Sequence, residues 1–256
     1  MILFDKIVFG PVHSRRLGIS LGINLLPIDA KICTYDCLYC ECGFNTKMKK
    51  SPLPKRKEVS AALEAELQKM ISLEKIPDII TFAGNGEPTI HPDFENIIED
   101  TLQLRDIYCP LAKVGVLSNA TEIHKPQVFR ALNKVDDNIL KFDTAFDHTL
   151  QLLNRPTQKY ITVKWLIEHL KKFEGKMIIQ TLFIRGEYNG EKVDNTTDEE
   201  INAWLQALRE MNATQIMIYT IDRETPLKNL EKIPLNELNT IAEKARNYGF
   251  DVSIST

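Results

Sequence analysis

The chain has 256 residues, a formal net charge of −3, 43% hydrophobic residues and 26% charged residues. These are globular values, with no basic bias toward nucleic acid and no apolar run near the ~18 residues of a membrane helix. Five cysteines, and a first apolar run interrupted by Asp5 and Lys6, argue against a disulfide framework and a secretory leader, so a reducing, cytoplasmic chain is expected.

The length admits one large or two ordinary domains. No internal boundary is evident, so one domain over 1–256 is expected, with an N-terminal extension over about 1–17 and a cysteine loop over 27–45. In chain order, Ile19–Leu25 reads as a first strand and Lys57–Leu73 as a first helix. Val59, Leu63, Leu67, Met70 and Ile71 recur in that helix at three- and four-residue steps and form a core stripe. Strand Asp78–Ala83 precedes helix Pro92–Leu104, and strand Ala112–Ser118 precedes helix Lys125–Leu132. Strand Asn138–Thr144 precedes helix Lys159–Lys172. Strand Met177–Ile184 precedes helix Thr197–Met211, whose Asp198-Glu199-Glu200 start suits the positive end of a helix dipole. Strand Gln215–Ile221 precedes helix Leu235–Tyr248, and Val252–Ser255 adds a possible short strand. Several strands are continuously apolar, as for strands buried on both faces. Six strand–helix units imply an α/β fold with parallel strands and right-handed crossovers.

The chemistry gathers after the strands. Cys33, Cys37 and Cys40 form a C-x3-C-x2-C loop. A four-iron cluster wants four ligands, so three thiolates leave one iron open. Zinc is the competing reading, with Cys42 as fourth thiolate, although C-x-C placement is cramped and no second knuckle exists. The second strand runs into Gly84-Asn85-Gly86-Glu87-Pro88, where two glycines allow close backbone approach and Glu87 can accept from an ammonium. Ser118, Asn119 and Thr121 follow the third strand and suit either a ribose or carboxylate, or turn capping. Lys141 and Asp143 sit at alternate positions and share a face, as ligand contacts or as a structural pair. Gln180 interrupts a very apolar strand and needs partners if buried. Arg185 follows the fifth strand, and Tyr219, Asp222 and Arg223 follow the sixth, where loop solvation is the plain alternative.

The cysteine spacing, with Tyr39 before the last cysteine, and the Gly-Asn-Gly-Glu-Pro turn resemble the radical S-adenosylmethionine (SAM) family. The segment Gly10 to Asn24 and the block Val193 to Thr197 resemble its compact single-cluster branch related to the wybutosine-type tRNA-modifying enzymes. The resemblance runs over most of the chain. It implies an open (β/α)6 partial TIM barrel, a [4Fe–4S] cluster on Cys33, Cys37 and Cys40, and SAM on the fourth iron. It also implies that Tyr39 packs near the adenine and that Gly86, Glu87 and Pro88 hold the methionine amino group. Asn85 departs from the family's paired glycines, so Gly84 carries over less securely. Asn119, Asp143 and Gln180 become candidate SAM or substrate contacts, and Arg185 a candidate partner of the SAM carboxylate.

The resulting expectation is reductive cleavage of SAM to a 5′-deoxyadenosyl radical that abstracts hydrogen from a substrate. An external flavodoxin or ferredoxin would supply the electron, and no membrane partner is expected. A tRNA nucleotide, a peptide or protein, and a small metabolite are the substrate classes left open. The lysines and arginine at Lys47, Lys49, Lys50, Lys55, Arg56 and Lys57 suit either a local basic groove or a solvated face. Arg15 and Arg16 suit either a phosphate or carboxylate grip or salt bridges. Two remaining thiols, Cys42 and Cys109, cannot build an auxiliary cluster. The alternative to an enzyme is an iron–sulfur electron carrier or sensor that never cleaves SAM.

Overall fold

The computed structural model describes residues 2–14, 18–45 and 51–255. Arg15 and Arg16, with Lys47, Lys49 and Lys50, lie outside the described residues. The strands are β1 (Val8–Ser14), β2 (Gly18–Ile23), β3 (Ile79–Phe82), β4 (Lys113–Ser118), β5 (Asp137–Lys141), β6 (Ile178–Leu182), β7 (Ile184–Tyr188), β8 (Glu191–Asp194), β9 (Gln215–Tyr219), β10 (Glu231–Lys232) and β11 (Asp251–Ser255). The helices are α1 (Arg56–Ser72), α2 (Phe94–Tyr108), α3 (Pro126–Leu132), α4 (Asp147–Leu153), α5 (Val163–Leu170), α6 (Asp198–Glu210) and α7 (Leu235–Asn247). Among the described residues no helix is long and apolar enough to cross a membrane.

The main sheet has the order β1-β2-β3-β4-β5-β6-β9-β11. Strands β2 to β11 in that order are parallel, and β1 pairs antiparallel with β2. The sheet is open, with β1 and β11 at its two ends, and forms the expected α/β partial barrel of six strand–helix units. The apolar runs explain it: all four residues of β3 are buried, and α1 sets Val59, Leu63, Leu67 and Met70 against the sheet. Helix α6 starts where the Thr197 hydroxyl accepts from the Glu200 N–H at 3.2 Å. Its Trp204 is buried edge-on to Phe183 at 5.3 Å and donates to the Thr181 hydroxyl at 3.1 Å.

The stretch expected as an N-terminal extension contains β1, an edge strand of the sheet. Two other expectations need correction. The fifth strand ends at Leu182 rather than Ile184. Phe183 leaves the sheet, and Ile184 opens β7, which pairs with β8 and β10 in a separate three-stranded sheet. The β7–β8 hairpin turns at Asn189-Gly190, both at positive φ, which is the Asn-Gly hairpin signature. The helix expected over Lys159–Lys172 is shorter, because Thr162 caps α5 by accepting from the Trp165 N–H at 3.1 Å. A separate helix, α4, precedes it.

Candidate active site

The carboxyl ends of the parallel strands surround one cavity of about 250 Å³. In open and closed parallel α/β sheets this is where ligands bind. All three loop cysteines line it, with Glu87 after β3, Ser118 at the end of β4 and Asn119 just after it, Lys141 on β5, Gln180 on β6 and Tyr219 on β9.

The cysteine loop is anchored on two sides. On one, Ile32 bridges to Gly86: the Ile32 N–H donates to the Asn85 carbonyl at 2.9 Å, and the Glu87 N–H donates to the Ile32 carbonyl at 3.1 Å. Gly86 has φ +133°, and a Cβ there would lie 1.8 Å from the Ile32 oxygen. This glycine is therefore required by the docking of the loop itself. On the other side, the Asp36 and Leu38 N–H groups donate to the carbonyls of Asn154 and Leu153 at 3.0 Å each, and Tyr35 bridges to Pro156. The end of α4 thus forms the second wall.

Asn85 explains the departure from paired glycines. Its amide is fully buried, donates to the carbonyls of Phe4 at 2.9 Å and Pro27 at 2.8 Å, and accepts from the Phe4 N–H at 2.8 Å. It ties the N-terminal segment to the turn.

Glu87 is buried and lines the cavity. Its carboxylate accepts from the Thr89 N–H at 3.2 Å, the Thr89 hydroxyl at 2.5 Å, the Ser118 hydroxyl at 2.8 Å and the Asn119 N–H at 2.7 Å. Burial raises its pKa, and those donors oppose the shift only in part. Asn119 also reaches the loop, donating to Thr34 Oγ1 at 2.8 Å and toward Cys33 Sγ at 3.4 Å. Asn154 donates toward Cys37 Sγ at 3.6 Å. Burial pushes the Cys33 thiol up, with the Glu87 charge adding to it, and pushes Cys37 to about 11 against the pull of Lys141. Cys40 is held at about 6 by a hydrogen bond from Cys42, whose own thiol is raised in turn. Lys31 is buried beside the cysteines and donates to the Gly43 carbonyl at 2.8 Å. Burial would lower its pKa, but Cys40, Cys33, Cys37 and Asp36 outweigh it and the net shift is upward.

Several candidates lie elsewhere than expected. Arg185 is on β7 and outside the cavity lining. Its guanidinium pairs with Glu237 and donates to Thr196 Oγ1 at 2.9 Å, so the expected SAM-carboxylate contact is withdrawn. Asp143 is buried behind the cavity. Its carboxylate accepts from the Tyr39 hydroxyl, from Asn154 Nδ2 at 2.6 Å and from the Leu182 N–H at 2.8 Å, with Lys141 Nζ at 3.6 Å. It is not among the residues that line the cavity, and its partners Tyr39 and Lys141 are. Pro88 opens the short 3-10 turn Pro88–Ile90 that sets the Thr89 N–H under Glu87, and does not line the cavity. Tyr39, Gly86, Glu87, Asn119 and Gln180 do line it. At the mouth, Glu41 accepts from Arg223 at 2.9 Å across the opening, and Asp222 pairs with Lys232.

Lys31, Asn154 and Tyr35 belong to the site beyond the residues the sequence points to, and Lys141, one of its two alternatives with Asp143, lines the cavity. Lys141 lies partly buried between the rings of Tyr39 and Tyr219, 5.2 Å from each centroid, and donates to the Tyr219 hydroxyl at 2.9 Å. Burial works against its charge, but Asp143 beside it prevails and the pKa is raised. Its position two residues before Asp143 was the available signal. Asn154 carried none, because the helix it follows, α4, is not evident in the sequence.

Among the described residues no trio of His, Cys, Asp or Glu converges tightly enough for a single metal ion. Three thiols spaced around one cavity, with amide donors at two of the sulfurs, instead fit a multi-atom sulfur cluster.

A profile of the Radical SAM superfamily matches residues 28–194. The chain is 29% identical over 249 residues to a Brachyspira hyodysenteriae protein named GTPase Obg, covering 96% of this chain and 34% of that protein. It is 28% identical over 227 residues to a UPF0026 protein of Helicobacter pylori strain J99, covering 87% of this chain and 68% of that one. The chain therefore spans about a third of the first relative's length and about two thirds of the second's. A radical SAM methyltransferase from Sphaerobacter thermophilus superposes with TM-score 0.68 at 13% identity, over 92% of this chain and 65% of that one. TYW1 with a lysine–pyruvate adduct bound superposes with TM-score 0.62 at 14% identity, over 89% and 73%. At these identities the two structures share the fold alone. The profile match, the partial barrel and the three-thiol cavity agree: this chain belongs to the radical SAM superfamily, enzymes that bind a [4Fe–4S] cluster and S-adenosylmethionine.

Proposed function

We propose that Cys33, Cys37 and Cys40 hold a [4Fe–4S] cluster and that the enzyme reductively cleaves SAM to start hydrogen abstraction from a substrate. The observation that supports this reading is the convergence of the three thiols and Glu87 on one cavity at the strand ends. When bound and reduced, the cluster supplies the electron that splits SAM into methionine and a 5′-deoxyadenosyl radical; a flavodoxin or ferredoxin is the reductant class. Glu87, fixed by its donors, accepts the SAM ammonium. Lys141, fixed by Tyr219 and Asp143, offers a partly buried positive charge toward the SAM carboxylate. Tyr39, held by Asp143, presents its ring face to the adenine, and Gln180 and Asn119 offer amide contacts. Leu117, Leu182 and Ile221 line the same cavity and exclude water from the reacting atoms. The substrate enters at the mouth beside Glu41 and Arg223.

The test is the EPR spectrum of the reduced, reconstituted enzyme with and without SAM. This reading requires the spectrum to change on SAM addition. An unchanged spectrum contradicts it and favours an electron carrier or sensor.

A further inference from the structure

Tyr35 stands between Cys33 and Cys37, two residues from each. It is 2% exposed and lines the cavity with the three thiols. Its backbone is fixed: it bridges to Pro156, and its carbonyl accepts from Asn45 Nδ2 at 3.0 Å. Its phenolic oxygen has no hydrogen-bond partner among the described residues. Tyr39, four residues on, differs in this respect, because its hydroxyl is spent on Asp143.

A phenol buried in the loop with no acceptor for its proton among the described residues is an O–H donor in search of one. Asp143 and Glu87 are already engaged, by Tyr39, Asn154 and Leu182 in one case and by Thr89, Ser118 and Asn119 in the other. The groups that share the cavity lining with Tyr35 include all three thiols placed to ligate the cluster. A buried donor left unpaired is costly, so such a group usually reports a partner still to come.

We propose that Tyr35 donates its phenolic O–H to the sulfur framework of the cluster held by Cys33, Cys37 and Cys40, and thereby raises its reduction potential. The proposal rests on the cluster reading above. A hydrogen bond to cluster sulfur stabilises the extra negative charge of the reduced state, so donors move the potential upward. Tyr35 is a positioning and tuning residue, since it acts through the cluster and not on the reacting atoms of the substrate.

The experiment is a redox titration of three anaerobically reconstituted proteins, first without SAM and then with it. They are the wild type, Tyr35→Phe, and a protein carrying 3-fluorotyrosine inserted specifically at position 35. Iron and sulfide content is measured first. The expected order of potential is Phe below tyrosine below fluorotyrosine, because fluorine strengthens the phenol as a donor while keeping its ring. If Tyr35→Phe takes up no cluster, the fluorotyrosine comparison decides alone. Equal potentials overturn the proposal. A difference that appears only after SAM is added places the phenol on SAM and overturns it too. A wild type that binds no iron and sulfide overturns the cluster reading, and this assignment with it, at the first step.

Discussion

Glu87 receives four hydrogen bonds before any ligand arrives, from Thr89, Ser118 and Asn119. Those bonds fix the carboxylate's orientation, while burial raises its pKa. Only the ionised form attracts an ammonium. Affinity for SAM should therefore fall on acidification at a pH above the ordinary carboxylate range, as Glu87 takes up its proton. Glu87→Gln should weaken SAM binding about 10- to 100-fold, the worth of one charge-assisted hydrogen bond at ~1.5–3 kcal/mol. The variant should also lose that pH dependence. Equilibrium binding to the reconstituted enzyme across pH checks both. Asp143 makes a different prediction, because it is spent inside the protein. Removing it orphans the Tyr39 hydroxyl, Asn154 and the Leu182 N–H, and leaves Lys141 without its counter-charge. Asp143→Ala should cost about 3–5 kcal/mol of stability, the usual cost of breaking a buried charge pair. Denaturant unfolding of the apoprotein measures it.

At the scale of elements, the cysteine loop is a strap between the turn after β3 and the end of α4. Gly86 sets one anchor. Replacing it with alanine puts a Cβ into the Ile32 carbonyl at a φ that disfavours side chains, so Gly86→Ala should destabilise by more than ~1 kcal/mol. It should also lower cluster content after reconstitution, read from bound iron, because Cys33 follows Ile32 directly. The sequence made this turn visible as a ligand loop but not as a loop anchor, since the contact with Ile32 spans more than fifty residues. The six core strands were legible because their apolar runs are buried on both faces. The Asn189-Gly190 signal of the β7–β8 hairpin stands in the sequence but was not read, and the apolar run through Phe183 and Ile184 hid the break at Leu182. That break is held by Asn195, which donates to the Leu182 and Asp143 carbonyls at 2.7 and 2.9 Å and accepts from the Ile184 N–H at 2.8 Å. With the strand cut short, Arg185 moves out of the barrel end and onto Glu237. Helix α4 escaped notice because its seven residues lack the start signal that Pro126 gives the equally short α3: Phe146 precedes it and makes no side-chain cap bond.

At the scale of the molecule, an open parallel sheet buries apolar residues along its strands and brings polar residues together at their carboxyl ends. The cavity there joins residues from Lys31 to Thr225, so most of the chain contributes to a single site. The polar residues at the strand ends were legible singly. Which of them meet the cavity and which support it from behind was not, because Lys141 and Asp143 are separated by one residue and yet differ in that respect. The central claim is SAM cleavage driven by the cysteine cluster. Its most direct measurement is 5′-deoxyadenosine formation by the anaerobically reconstituted protein with dithionite and SAM, beside Cys37→Ala. The account predicts product from the wild type and none above background from the variant. Equal product from both, or a loaded wild type that binds no SAM and yields none, would contradict it.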